Sequence, residues 1–180
     1  GNGIEITLET PWRVKEVRNG PSGIELIDEE GVARPGVGHL DMQETMSHLA
    51  EKEMRPLKPG TWIGHVHVHV NDIEAARVFY SDLLGYPVGM DWSFMGMLDV
   101  HFEGEFEHRI AFNGWQGPGA TQRPEGTVGL RHFTLVLPGQ EELDATLLRL
   151  AAAGVKAEPR DGGQMVADPS GNGVLLVAKR

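Results

Sequence analysis

Three histidines alternate with three valines within residues 63–70, which read Ile-Gly-His-Val-His-Val-His-Val. In a β-strand, successive side chains point to opposite faces, so His65, His67 and His69 would share one face and the valines the other. Imidazole binds divalent metals and transfers protons near neutral pH. Residues two apart on a strand are separated by about 6.6–7 Å, so a neighbouring pair can chelate one ion, but all three are not expected to do so. The pattern predicts one wall of a metal site, and the alternative is the polar lining of a wet cleft.

Two further histidines begin apolar runs with strand character. His108 comes before Arg-Ile-Ala-Phe, and His132 comes before Phe-Thr-Leu-Val-Leu. Taken alone, neither indicates chemistry, because a lone histidine in a strand more often forms a structural hydrogen bond. The segment 168–173, Asp-Pro-Ser-Gly-Asn-Gly, predicts a turn between two strands because proline fixes φ and Gly and Asn tolerate positive φ. The sequence contains no phosphate-binding glycine loop, no nucleophile-elbow serine and no zinc-protease helix motif.

The elements that position these residues repeat along the chain. A predicted strand over 61–70 leads into a predicted helix over 73–84, and a strand over 129–137 leads into a helix over 141–153. Three short strands are predicted after each helix, at 87–90, 97–102 and 107–113 and then at 155–157, 163–167 and 174–178. A linker rich in Gly and Pro, 116–126, separates the two sets.

The order β-α-β-β-β thus occurs twice, about 66 residues apart. Two similar units side by side commonly enclose one shared cleft. We therefore predict an α+β fold in which paired βαβββ modules, 61–116 and 127–180, form a curved mixed sheet around one cleft. Residues 1–60 are polar and predicted to be an irregular extension or linker, with one helix over 42–54 that begins after Asp41.

Composition limits the partners and the location that we expect. The chain has 180 residues and a net charge of −10, and no Lys/Arg cluster offsets that charge. An acidic surface repels nucleic-acid phosphates and anionic lipids, so neither nucleic acid nor a membrane is an expected partner. The chain has no cysteine, and no apolar run approaches the length of a bilayer span or a signal segment. A cytoplasmic location is the expectation.

Together these segments resemble the vicinal-oxygen-chelate superfamily, which includes glyoxalase I, bleomycin-resistance proteins and extradiol ring-cleaving dioxygenases. The resemblance covers about residues 58–180 in order and is closest to the C-terminal portion of the two-domain catechol 2,3-dioxygenase type. The segments that carry it are 64–76, 79–80, 83–86, 108–115, 129–133 and 168–173.

The resemblance implies roles for three of the histidines. In the ring-cleaving enzymes, two histidines and one glutamate hold Fe(II), or in some members Mn(II). The two metal-binding histidines fall at His65, in the opening strand, and at His108, in the strand that closes the first module. A histidine next to the substrate falls at His132, the implied catalytic residue. Three protein ligands would leave positions open for both catecholate oxygens and O₂.

The chain departs from the ring-cleaving pattern at two positions. The family's glutamate follows the Gly-Asn-Gly turn in the last strand, where this chain has Leu175, and Met165 stands near the place of a family tyrosine. Leucine cannot bind a metal. The chain begins Gly-Asn-Gly-Ile-Glu-Ile, the same turn and strand with the glutamate present. Glu5 is therefore the glutamate ligand that the resemblance implies, and it would belong to the site of a preceding domain or be supplied to a neighbouring subunit. Residues 1–60 are then the remnant of a preceding domain. The alternative is an ordinary turn near the terminus.

Three functions are compatible with these residues. The first is an extradiol dioxygenase-like protein that acts on a catechol-type aromatic with Fe(II) and O₂, as a C-terminal portion with a degenerate site. The second is another glyoxalase-type metal enzyme that uses His65, His108 and His132. The third is a non-catalytic domain that binds a small aromatic molecule or supports an oligomer. Fe(II) is the expected cofactor, with Mn(II), another divalent metal or no metal as alternatives. The expected partners are a small aromatic substrate and either a second copy of the chain or a preceding domain.

Overall fold

The computed structural model describes residues 15–20, 23–35, 43, 46, 59, 63–102, 108–120, 124 and 126–179. The chain divides into two compact units, residues 4–61 and residues 62–180 together with 1–3. The larger unit contains the histidine strand and both predicted modules.

The smaller unit contains a three-stranded antiparallel sheet where the sequence predicted irregular structure. The strands pair in chain order and are β1 (Glu16–Gly20), β2 (Gly23–Ile27) and β3 (Ala33–Pro35). Arg18 and Glu25 lie opposite each other and form an ion pair of 3.1 Å between β1 and β2. Of the predicted helix 42–54, residues 43 and 46 are described and are helical, and the remainder lies outside the described residues.

The first module of the larger unit has one helix and one four-stranded sheet. Its elements are β4 (Val66–His69), α1 (Ile73–Arg77) with a π-helical continuation (Val78–Leu83), β5 (Val88–Trp92), a 3₁₀ turn (Ser93–Met95), β6 (Met97–His101) and β7 (His108–Asn113). The sheet order is β4-β7-β6-β5, and β4 is parallel to β7 while the other pairs are antiparallel. Helix α1 begins where the sequence predicts because the Asp72 carboxylate accepts the N–H of Ala75 at 3.0 Å.

The second module repeats this order. Its elements are β8 (His132–Leu137), α2 (Gln140–Ala152), β9 (Glu158–Arg160), β10 (Gly163–Ala167) and β11 (Gly173–Ala178). The sheet order is β8-β11-β10-β9, with β8 parallel to β11. The predicted α+β fold of paired βαβββ modules is confirmed. Within the described part of the chain, no helix is both long and apolar enough to cross a bilayer.

The predicted strand 155–157 is wrong, because β9 begins at Glu158. Gly154 has a φ of 78°, and the N–H of Val155 donates to the carbonyl of Leu150 at 2.9 Å. These contacts end helix α2, and the Val155 side chain packs against the core. An apolar residue just after a helix therefore belongs to the helix terminus here.

One hydrophobic core contains residues of both modules. Tyr80 is fully buried in it, and its ring stacks on Phe112 and meets Phe79 edge-on, each with centroids 5.1 Å apart. The first module also contributes Val68, Val70, Leu98, Val100 and Ile110, and the second contributes Phe133, Leu135, Leu137, Leu143, Leu150, Val166, Val174 and Leu176. Because this core is shared, the two modules pack as one unit.

Candidate functional site

Strand β4 separates an apolar face from a histidine face, as the alternation predicts. Val68 and Val70 are buried in the core, whereas His67 and His69 are half-buried on the opposite face. His65 is half-buried as well and comes directly before β4, which begins at Val66. The histidines are thus spread along the whole strand, with His65 at its start and His69 at its end.

The amide of Asn113 joins the rings of His67 and His69. Asn113 ends β7 and lies opposite His69 in the parallel register of β4 and β7. It is 4 % exposed, and its Nδ2 lies 2.9 Å from His67 Nε2 while its Oδ1 lies 2.7 Å from His69 Nδ1. The backbone N–H of Trp115 donates to the same Oδ1 at 3.4 Å. One buried amide therefore holds both imidazoles.

These contacts determine which ring nitrogens carry protons. A backbone N–H can only donate, so the Asn113 atom that Trp115 faces is the oxygen. His69 Nδ1 must carry a proton to donate to this oxygen, which leaves a lone pair on Nε2 of the neutral His69 ring. Asn113 Nδ2 donates to His67 Nε2, so the lone pair of His67 Nε2 is already used. His67 is therefore not free to bind a metal through Nε2.

A cavity of about 770 Å³ lies where the end of β4, the segment after β7 and the starts of β8 and β11 meet. Its size falls within the range of about 300–1,000 Å³ that is typical of small-molecule sites. The histidines in its wall are His69 and His132, and the other polar wall residues include Asn71, Arg131, Ser170 and Asn172. The cavity is therefore polar on the side of the module junction.

The turn after β10 begins with a buried carboxylate, that of Asp168, which forms a hydrogen bond across the module junction. Asp168 is 4 % exposed and accepts four hydrogen bonds. Its Oδ1 accepts from the N–H groups of Ser170 (2.9 Å) and Asn172 (2.8 Å). Its Oδ2 accepts from Asn172 Nδ2 (2.8 Å) and from the hydroxyl of Tyr80 (3.0 Å), which belongs to the first module. All four bonds satisfy a charge that would otherwise be costly to bury.

The same turn fixes the backbone at the end of β4. Asn172 Nδ2 donates to the carbonyl of His69 at 2.9 Å. Ser170 Oγ accepts the N–H of Asn71 at 3.0 Å and donates to Asn71 Oδ1 at 2.7 Å. The segment that the sequence predicts as a turn thus also positions the strand end that borders the cavity.

Burial keeps the Tyr80 hydroxyl protonated. Desolvation raises the pKa of Tyr80 well above its ordinary value, and the charge of Asp168 and the hydrogen bond to it raise it further. Burial alone raises the pKa of Tyr86 to about 12. Tyr80 is therefore a hydrogen-bond donor to Asp168 throughout the neutral pH range.

Three of the four predicted site residues lie at or just before the start of a strand. His132 opens β8 and lines the cavity, and His65 precedes β4. His108 opens β7, but its side chain lies outside the described residues, as does the whole of Glu5. The structure therefore places His132 beside His69 in the cavity wall, and His65 is not among the described wall residues.

Gly173 allows the close approach that positions His132. Gly173 of β11 lies opposite His132 in the parallel register with β8. A Cβ at position 173 would lie 2.6 Å from the carbonyl oxygen of Arg131 and 3.0 Å from the Cβ of His132. Any larger residue would displace the start of β8.

In each module, an apolar residue of the last strand lies opposite one particular position of the first strand. Leu175 of β11 lies opposite Thr134, and Ala111 of β7 lies opposite His67, each two residues beyond the corresponding histidine of the first strand. Leu175 is 5 % exposed and Ala111 is 0 % exposed. These two corresponding positions supply no metal ligand.

The described residues do not form a complete metal centre by themselves. Among them, no group of three or more His, Asp or Glu side chains is arranged to hold an ion. His67 Nε2 is occupied by Asn113, and Leu175 is apolar. The set of His65, His108 and Glu5 that the resemblance implies depends on two side chains outside the described residues.

Sequence reasoning missed Asn113 and the second role of Asp168. Asn113 ends an apolar strand that pairs with the histidine strand, and a polar residue at the end of a buried strand was the available signal. Asp168 was assigned to the turn, which is correct, but its bond to Tyr80 joins residues 88 positions apart. A contact of that kind carries no local signal.

Comparisons with known proteins agree with this fold. Residues 62–176 match the family model described as the glyoxalase/bleomycin resistance protein/dioxygenase superfamily. A glyoxalase/dioxygenase from Nostoc punctiforme aligns with a TM-score of 0.52 and 15% identity over 71% of this chain and 99% of that chain. A glyoxylase/bleomycin resistance protein/dioxygenase domain from Frankia sp. EAN1pec aligns with a TM-score of 0.51 and 19% identity over 67% of this chain and 98% of that chain. These two structures show the shared fold.

A curated relative has higher sequence identity. Over 169 residues, which are 94% of this chain and 55% of the relative, the chain is 32% identical to a catechol-2,3-dioxygenase of Bacillus subtilis (strain 168). The chain thus spans about half the length of that protein. With the family match over 62–176 and the paired βαβββ modules, the chain belongs to the glyoxalase/bleomycin resistance protein/dioxygenase superfamily.

Proposed function

We propose that the protein is an extradiol dioxygenase-like member of this superfamily that acts on a catechol-type aromatic with O₂ and a divalent metal, Fe(II) in the first place. The observation that carries this proposal is the 32% identity to a catechol-2,3-dioxygenase along 94% of the chain. Because the chain spans 55% of that relative, the ring-cleaving activity of the whole protein is itself part of the proposal.

The proposed roles follow the predicted site residues. His65 and His108 would bind the metal with Glu5 as the third ligand, and His132 would contact the substrate from the cavity wall. When bound, the metal would coordinate the substrate oxygens and O₂.

The cavity supports an aromatic anion as the substrate. Its volume of about 770 Å³ accommodates one aromatic ring with substituents. Arg131 lines it beside His132 and brings a positive charge into a chain of net charge −10. A cation in the wall favours a catecholate over a neutral or cationic aromatic.

Iron reconstitution tests the reaction. Protein purified without a chelator is loaded with Fe(II) under anaerobic conditions and then mixed with O₂ and catechol, 3-methylcatechol or 4-methylcatechol. We expect oxygen uptake and a yellow ring-cleaved product from at least one of them. If none of these catechols gives a product with fully loaded protein, the dioxygenase proposal is wrong.

Metal content measured on variants tests the roles and separates the alternative functions. We expect His65→Ala and His108→Ala to lose iron. His132→Ala should keep iron and lose turnover. The control is His48→Ala, from the 1–60 segment, which should change neither. If iron is lost equally from all three variants and no catechol is cleaved, the three-histidine glyoxalase-type enzyme is favoured. Protein that binds no metal but still binds catechol favours the non-catalytic domain.

The variants Leu175→Glu and Glu5→Ala distinguish the two possible sources of the third ligand. Leu175 occupies the family's glutamate position on β11. If Glu5 supplies the ligand, Glu5→Ala lowers iron content and Leu175→Glu does not raise iron affinity. If the site in the paired modules is simply degenerate, Leu175→Glu raises iron affinity and Glu5→Ala has no effect. Thermal unfolding of Leu175→Glu measures the cost of the new buried carboxylate.

A further inference from the structure

We propose that His69 is a substrate-binding residue, and that Asn113 positions it so that the His69 Nε2 lone pair accepts a hydrogen bond from a donor group on the far end of a catechol. The inference rests on the proposed function and extends it to the substrate class. That class is a catechol with a hydroxyl or similar donor on the side opposite its two adjacent hydroxyls.

The ring of His69 is fixed in one protonation form. Its Nδ1–H donates to Asn113 Oδ1 at 2.7 Å, and the Trp115 N–H fixes the orientation of that amide. The remaining nitrogen, Nε2, is therefore an acceptor in the neutral ring. None of the described residues forms a hydrogen bond with His69 Nε2. An acceptor that is held in place by a buried amide is suited to recognise a donor on a ligand.

The backbone of His69 is held as firmly as its ring. Asn172 donates to its carbonyl at 2.9 Å, and Asn71, two positions further along the chain, is fixed by Ser170. His69 also lines the cavity of about 770 Å³ together with His132. The cavity therefore contains a pre-positioned acceptor in addition to the proposed catalytic histidine.

The length of β4 decides which part of the substrate His69 can reach. His65 and His69 are four residues apart, which corresponds to about 13 Å along a strand. A metal bound at His65 would hold the two catechol oxygens near the start of β4. An aromatic ring is shorter than that distance, so His69 would contact a group on the side of the ring opposite the two oxygens.

Histidine-ring NMR tests the protonation form directly. Two-bond ¹⁵N–¹H correlation spectra of the metal-free, full-length protein at pH 8 should show His69 protonated at Nδ1 and His67 unprotonated at Nε2. In Asn113→Leu, whose side chain has the same branching and number of heavy atoms but no amide, His69 should no longer be restricted to the Nδ1–H form. A wild-type His69 ring that carries its proton on Nε2 overturns the proposal.

Ligand binding tests the recognition. The probes are 3,4-dihydroxybenzyl alcohol and 4-ethylcatechol, which have nearly the same shape and differ in the distal hydroxyl. Calorimetry on metal-free protein should give the wild type a preference for the alcohol that is about fivefold larger than that of His69→Asn, in line with the loss of one hydrogen bond. The asparagine amide reaches the position of Nδ1 and keeps the contact to Asn113, but it leaves no acceptor at Nε2.

A second variant controls for folding. In His69→Gln the amide oxygen reaches the position of Nε2, so this variant should retain most of the preference, while Asn113→Leu should lose it. His69→Asn and His69→Gln should unfold at temperatures close to that of the wild type, whereas Asn113→Leu should unfold at a lower temperature because it removes a buried amide that bonds both rings. Equal preference ratios in the wild type and His69→Asn overturn the inference. Because binding is measured without metal, absence of ring cleavage in iron-loaded protein would refute the proposed function and leave this result standing.

Discussion

The hydrogen bond between Tyr80 and Asp168 should be a measurable part of the stability of the paired modules. Tyr80→Phe removes the hydroxyl that lies 3.0 Å from Asp168 Oδ2 and leaves the ring in its place between Phe79 and Phe112. No cavity forms, so the cost is that of the hydrogen bond. A bond to a charged acceptor contributes about 1.5–3 kcal/mol, and three other bonds to Asp168 remain. We therefore expect a loss of about 2 kcal/mol in the free energy of unfolding.

The effect should depend on pH in one direction. The folded state raises the pKa of Tyr80 above the value of about 10 for an unfolded chain, so the folded state holds the phenol proton more tightly. The stability that Tyr80 provides is then fully present below pH 10 and falls as the pH rises above it. The difference between wild type and Tyr80→Phe should be constant from about pH 7 to 9 and should shrink above pH 10.

Urea unfolding followed by tryptophan fluorescence measures both effects. Tyr86→Phe is the matched control, because Tyr86 is also largely buried and no described residue forms a hydrogen bond with its hydroxyl. We expect this control to change the unfolding free energy by less than about 0.5 kcal/mol, with unchanged m-values. If Tyr80→Phe is no less stable than Tyr86→Phe at pH 7, the bond to Asp168 does not stabilise the junction and the reasoning fails.

Two further predictions concern the cavity and the tyrosines. Gly173→Ala should lower stability by about 1–3 kcal/mol and weaken catechol binding, because a Cβ would meet Arg131 and His132. Gly139→Ala meets only the flexible Glu142 carboxylate, so it should leave catechol binding unchanged and lower stability only by what alanine costs at the N-cap of α2, about 1 kcal/mol or less. If calorimetry gives the same catechol affinity for both variants, the close approach at Gly173 does not position His132 for binding. The chain has two tyrosines, and both have raised pKa values, so ultraviolet titration of the folded protein should show no tyrosinate signal at pH 10 and a first signal near pH 12. A titration at the ordinary value would contradict their burial.

The repeated modules could be predicted because each carries its own local signals. Asp72 caps α1, and Gly85 and Gly154 both adopt positive φ where the helices end. The sheet of the smaller unit was missed because its strands are short, with five residues in β1, five in β2 and three in β3. The strand predicted over 155–157 was wrong because an apolar residue that packs against the core, such as Val155, occurs at helix ends as well as in strands.

The site was harder to predict because its contacts join distant residues. The alternation of histidines indicated one polar face of β4, and the resemblance singled out His65, His108 and His132. The hydrogen bond of the Asn113 amide with His69 joins residues 44 positions apart, and its hydrogen bond with His67 joins residues 46 positions apart. Both depend on the register of a parallel strand pair, which the sequence does not reveal. The sequence therefore indicated which residue types were present, while the protonation form of each ring depends on a neighbour on another strand.

The two ends of β4 are held in different ways, which bears on where substrate specificity resides. At the His69 end, contacts with Asn113 and Asn172 fix both the ring and the backbone. At the His65 end, the Arg109 guanidinium donates to the carbonyl of Gly64 at 2.9 Å. The Asp168 turn that joins the modules also supplies Asn172, so packing of the modules and placement of His69 depend on the same residues. The proposed distal group of the substrate would therefore meet a histidine whose ring and backbone are both held in place, and a preference between related catechols can be set there.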